Sequence, residues 1–100
     1  MNKHGLEKEE QRKIIGVLKV LFPNAKIYLY GSRARGDFHD RSDIDLALID
    51  VSQKEELKIG EAKTVLEGLW IAYKIDVVDL NHVNEDFRSV ILREGVLWTN

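Results

Sequence analysis

The run GSRARGDFHDRSDIDLALI, residues 31–49, decides how this chain is read. It holds a Gly31-Ser32 pair, ten residues, and then Asp43-Ile44-Asp45 at the head of an apolar stretch. Lys26–Tyr30, just before it, is β-branched and aromatic and reads as a short strand running into Gly31. Asp43–Ile49 reads as a second strand. The polar residues 33–42 between them read as a loop hinged at Gly36, with room for one opening helical turn.

Side chains two apart on a strand share a face, so Asp43 and Asp45 project together while Ile44, Leu46 and Leu48 point into apolar packing. Neighbouring carboxylates repel, and each raises the other's pKa unless a cation neutralises them. Mg²⁺ prefers oxygen ligands and takes one or two carboxylates together with substrate phosphates. Gly31 has no β-carbon, so a phosphate can approach the backbone there, with the Ser32 hydroxyl and local amides as donors. Arg33 and Arg35 follow and could neutralise a polyphosphate, although Asp37 and Asp40 compete for them as surface ion-pair partners. A phosphate anchor and a metal platform on neighbouring strands would bracket a nucleoside triphosphate. That arrangement serves metal-assisted nucleotidyl transfer, in which two ions stabilise the attacking and leaving oxygens.

Such a site calls for a third carboxylate. The strand predicted over Ile75–Leu80 offers Asp76 and Asp79, three apart and therefore on opposite faces. Each face also carries two apolar residues, so parity leaves the choice open. Asp76 lies earlier in its strand, as Asp43 and Asp45 do in theirs, which favours it if the strands start level.

Around this centre the chain alternates helices and strands. Leu6, Ile14, Val17, Leu18 and Leu21 recur at helical spacing over residues 6–22, and Pro23-Asn24 ends that helix. Ser52-Gln53-Lys54-Glu55 has the spacing of a capping box and opens a helix expected to run to about Tyr73. Leu57, Ala62, Val65, Leu66, Leu69 and Tyr73 fall on or near its apolar face. Residues 85–94 form a last predicted helix, with Gly95 in the left-handed cap position. Val96-Leu97-Trp98 reads as a terminal strand or an apolar tail. The order α-β-β-α-β-α gives an α/β (α+β) fold, a small mixed sheet with helices packed on one face.

At 100 residues and 44% hydrophobic content the chain makes one domain, 1–100, burying about 65% of its unfolded surface. Fifteen basic against seventeen acidic residues leave a charge of −2, which argues against a general nucleic-acid binder. No cysteine is present, so disulfides and cysteine zinc sites are excluded. His4, His39 and His82 lack ligand spacing, and zinc is not expected. No apolar run is long enough for a membrane helix, and the polar start is unlike a signal peptide, so a cytoplasmic location is expected. Ser42 serves either a carboxylate or a turn, and Trp70 and Trp98 either a core or a partner interface.

Gly31-Ser32, ten residues, Asp43-Ile44-Asp45 and then Asp76 about thirty residues on resemble the nucleotidyltransferase superfamily that includes DNA polymerase β. The fuller 31–49 string is most similar to its minimal nucleotidyltransferase branch. The closing Arg93-Glu94-Gly95-Val96-Leu97-Trp98 and the helix–strand order extend the likeness over most of the chain. The resemblance implies that Asp43, Asp45 and Asp76 hold Mg²⁺, that Asp76 can act as base toward an acceptor hydroxyl, and that Gly31 and Ser32 meet the triphosphate of ATP. It also implies a small helical HEPN-domain partner, with this chain as the antitoxin that places AMP on a toxin tyrosine. Larger relatives carry a further domain that grips the acceptor or completes the nucleotide pocket, so substrate selection is expected to come here from a partner, a second copy, or an acceptor that is itself a protein. Two other readings stay open: a binding module that occludes its partner without catalysis, and transfer to a small hydroxylated molecule.

Overall fold

The structure, a computed structural model, describes residues 3–99. Helix α1 spans Lys8–Leu21, β1 Lys26–Tyr30, α2 Ser32–Arg35 and β2 Ile44–Ile49. A 3-10 turn over Glu55–Lys58 leads into α3, Ile59–Glu67. Then come β3, Ile75–Asp79, a 3-10 turn over Leu80–His82, α4, Glu85–Glu94, and β4, Val96–Leu97. The four strands form one mixed sheet in the order β3-β2-β1-β4. β1 runs antiparallel to β2 and β4, while β2 and β3 are parallel. This is the small mixed sheet expected, with Val96-Leu97 resolved as a strand.

Strand alternation divides the sheet into two faces. Ile27 and Leu29 of β1, Ile44, Leu46 and Leu48 of β2, and Val77 of β3 pack with Ile14, Leu18, Ala62 and Leu66 of α1 and α3. The opposite face is only partly covered: Ile91 of α4 and Leu80 close over Tyr30 and Ala47. The remainder of that face is where the polar site residues stand. Packing of α1 and α3 thus takes the Ile44, Leu46 and Leu48 face of β2 and leaves Asp45 on the other.

Local chemistry accounts for most element ends. The Ser52 amide donates to Glu55 Oε1 at 2.9 Å and the Glu55 amide to Ser52 Oγ at 3.3 Å, the predicted capping box. The amide bond holds the Glu55 carboxyl below its ordinary pKa. The helix that follows is shorter than expected, ending at Glu67 rather than near Tyr73. Gly68 and then Trp70, whose φ is 59°, turn the chain back. Leu69, Ile71 and Tyr73 still reach the core, but from a turn, each two residues from the next. Leu57 lies in the 3-10 turn, not on the α3 stripe, and is exposed.

Gly95 also departs from expectation. Its φ and ψ are −67° and 148°, extended and not left-handed, because the chain passes directly into β4 beside β1. Glycine is still demanded there: a β-carbon would stand 2.5 Å from the Ile91 carbonyl oxygen. Trp98 packs against the core, whereas Trp70 is 97% exposed.

Candidate active site

Three adjacent strands bring the site together. Tyr30 of β1 is the antiparallel partner of Asp45 of β2, and Asp45 is the parallel partner of Asp76 of β3. Partners in register point to the same face, so a phenol and two carboxylates form a row across the sheet. Asp43, one residue before β2, adds a third carboxylate at the strand's entrance. It is exposed, while Asp45 is half-buried. Burial first, then the charges of Asp43 and Asp76, raise Asp45 above the usual carboxylate range, and Arg35 and Lys74 oppose this.

The register also separates Asp76 from Asp79. Asp79 alternates with Val77 toward the helix-covered face, where its Oδ1 accepts the Asn81 amide at 2.9 Å and caps the following 3-10 turn. Asp76 is thus the β3 carboxylate beside Asp45, and Lys63 Nζ stands 3.9 Å from its Oδ1. A groove of ≈ 490 Å³ opens next to it, lined in part by Lys63, Tyr73, Lys74 and Asp76.

Gly31 joins β1 to α2 with φ 78° and ψ −156°, a conformation open to glycine and strained for other residues. A β-carbon at this position would lie 2.6 Å from Asp45 Oδ2. The glycine therefore clears space for the carboxylate as well as for any ligand. Ser32 begins α2, a single turn closed by Gly36 at φ 93°. The first amides of a helix lack intrahelical acceptors and are available to an anion.

Arg33 has a different role from the one expected. Its side chain is 1% exposed, so it cannot meet a phosphate. Nε and Nη2 donate to the Ser42 carbonyl at 3.1 and 2.9 Å, and Nη1 donates to the carbonyls of His4 and Gly5 at 2.9 and 3.3 Å. The guanidinium lies between the Phe38 and Tyr73 rings, 5.1 and 4.2 Å from their centroids. Arg33 pins the 36–42 loop and the N-terminal arm instead of binding substrate. Ser42 takes the turn role, its hydroxyl accepting the His39 amide at 2.9 Å. Arg35 stays at the surface, paired with Asp37 at 3.3 Å and Glu94 at 3.1 Å, within electrostatic reach of Asp45.

Tyr30 is the residue that sequence reasoning missed. Burial, then the Asp45 and Asp76 charges, push its pKa up to about 12, and its ring meets Phe87 edge-on at 5.7 Å. The signal was present: pairing β1 with β2 as a hairpin around residues 31–43 sets Tyr30 against Asp45. The aspartate set fits a hard divalent cation, since all three donors are carboxylates and the half-buried one is destabilised by like charge. Among the described residues, the group of three ligating side chains whose donor atoms all lie within 4.8 Å of one another is a different one: Glu56, Asp79 and His82.

Comparison with known proteins places this geometry. The family model described as polymerase beta, nucleotidyltransferase matches residues 12–99. The chain belongs to that family. It is 28% identical over 92 residues to a probable protein adenylyltransferase MntA of Haemophilus influenzae, covering 92% of this chain and 81% of the relative. A crystal structure of a toxin–antitoxin with AMP-PNP contains a chain 27% identical at a TM-score of 0.74, covering 90% of this chain and 73% of that one. At 23% identity and a TM-score of 0.71, the same fold occurs in a tri-AMPylated Shewanella oneidensis HEPN toxin in complex with MNT antitoxin, covering 95% and 74%. The protein is a nucleotidyltransferase, and among its described residues no helix is long and apolar enough to cross a membrane.

Proposed function

We propose that this chain, acting as one domain over residues 1–100, transfers AMP from ATP to a hydroxyl of a partner protein. The partner class favoured is a small helical HEPN-type toxin, with a tyrosine as acceptor, which makes this chain the antitoxin of a toxin–antitoxin pair. The observation that carries the reading is the row Asp45–Asp76 in register beside the glycine that clears Asp45. The likeness to MntA supports AMP as the transferred group and a protein as the acceptor.

In this reading the triphosphate lies over Gly31, where no β-carbon intrudes, with the Ser32 hydroxyl and the first α2 amides on its β- and γ-phosphate oxygens. Asp43, Asp45 and Asp76 would hold Mg²⁺, two ions in the family's manner, which supplies charge neutralisation at the reacting phosphates. Asp76, 43% exposed along its side chain, is open to an incoming acceptor and takes the proton from its hydroxyl. The acceptor oxygen bonds to the α-phosphorus, the bond from that phosphorus to the bridging oxygen breaks, and pyrophosphate leaves. Arg35, held by Asp37 and Glu94, contributes positive potential at the edge of the site.

The test is transfer of label from α-labelled ATP to the helical partner in Mg²⁺. The expected result is a labelled partner with the native chain and none with Asp43→Asn/Asp45→Asn. Equal labelling by that double variant would overturn the assignment. Inhibition of the partner by the unlabelling variant would favour occlusion.

A further inference from the structure

A second cluster of ligating side chains lies away from the row just described. Glu56 comes from the 3-10 turn before α3, Asp79 ends β3, and His82 ends the turn after it. Asp76 and Asp79 sit on opposite faces of β3, about 10 Å apart along the strand. The three side chains converge on a groove of ≈ 450 Å³. His82 Nε2 is 3.0 Å from Glu56 Oε1 and 3.8 Å from Asp79 Oδ2.

Asp79 is what distinguishes this cluster from an ordinary surface ion pair. Its side chain is 4% exposed, and only Oδ1 is satisfied, by the Asn81 amide. Oδ2 is fully buried and has no hydrogen-bond partner, with the His82 nitrogen too distant to serve. A buried carboxylate oxygen left without a donor is costly, and such an atom calls for a ligand. It faces an imidazole nitrogen and a second carboxylate oxygen, all three within 4.8 Å of one another.

We propose that Glu56, Asp79 and His82 form a binding site for a borderline divalent metal, Zn²⁺ in the first instance, separate from the aspartate row. One imidazole and two carboxylates are a donor set that Zn²⁺ accepts, and the imidazole selects against Mg²⁺. On binding, the imidazolium gives its Nε2 proton to water and keeps the one on Nδ1, the freed Nε2 lone pair goes to the metal, and Asp79 Oδ2 gains the partner it lacks. The site ties the turn before α3 to the end of β3, so metal uptake stabilises the fold.

The experiment uses the whole chain carrying Asp43→Asn/Asp45→Asn, so that the aspartate row does not compete, and titrates it with Zn²⁺ alone by calorimetry and by thermal melting. The expected result is uptake of one Zn²⁺ per chain with a rise in Tm. Adding His82→Gln or Glu56→Gln, both at accessible positions, weakens uptake roughly tenfold or more and removes the rise. Absence of Zn²⁺ uptake by the double variant overturns the proposal, and so does uptake that neither Gln substitution weakens. Because the aspartate row is disabled throughout, the outcome is independent of the transfer reaction.

Discussion

A β-carbon on Gly31 would stand 2.6 Å from Asp45 Oδ2, so the absence of a side chain at one residue sets the position of the other. In the proposed reading the same glycine that makes room for the carboxylate also opens the backbone to a phosphate. Gly31→Ala is expected to destabilise the fold by about 1–3 kcal/mol, from the left-handed φ together with the clash. It should also abolish nucleotide transfer. Chemical denaturation and label transfer measured on the same preparation check this, and a variant of native stability and activity would refute it.

Asp45 is a carboxylate that the fold itself disfavours in its charged form. Its pKa is raised by burial and by the like charges of Asp43 and Asp76, so its ionised form is held against electrostatic resistance. Asp45→Asn is expected to raise the stability of the metal-free protein at neutral pH by about 0.5–1 kcal/mol, the scale of opposed like charges across strands. The same variant should lose Mg²⁺-dependent transfer. A lower Tm for the variant would count against this account.

Tyr30 makes a prediction at high pH. Its folded pKa lies near 12 against an ordinary 10.0, so the folded chain keeps a proton that the unfolded chain releases first. Stability is therefore full below pH 10 and declines as pH rises from there toward 12. In an ultraviolet titration one of the three tyrosines should ionise late, and Tyr30→Phe should remove that phase. Asp45→Asn should move it to lower pH, since it deletes one of the charges that raise it. Three tyrosines titrating together near their ordinary value would contradict the burial and charge described.

Arg33 predicts a loss of folding and no specific loss of ATP affinity. Its guanidinium satisfies three backbone carbonyls and sits between two aromatic rings. Arg33→Ala should cost about 3 kcal/mol or more, the scale of breaking a buried charged network. Arg33→Lys should rescue little, because an ammonium cannot reproduce the planar fork. Urea unfolding decides: unchanged stability with a raised KM for ATP would restore Arg33 to the phosphates.

Much of the site was legible because it rests on local rules. The Gly31-Ser32 pair and Asp43-x-Asp45 depend on strand periodicity and on the steric freedom of one glycine, and both act over a few residues. The Ser52–Glu55 capping box was equally plain. Where apolar spacing was the only guide it misled: Leu69 and Tyr73 pack on the core from a turn, since burial is satisfied by any backbone that delivers them. Arg33 was misread for a related reason. A positive charge beside a phosphate loop suggests an anion, and nothing local reveals two aromatic rings and three carbonyls contributed from positions 4 to 73.

The chain's local order thus marked out most of the elements, the glycine turn and the paired Asp43 and Asp45. Cross-strand register, a long-range property, was needed to set Asp76 and not Asp79 beside Asp45 and to bring Tyr30 to the row. The same register turned Asp79 inward, toward Glu56 and His82. Strand alternation is readable residue by residue, but which strands pair, and in what alignment, is set by packing between segments far apart in sequence.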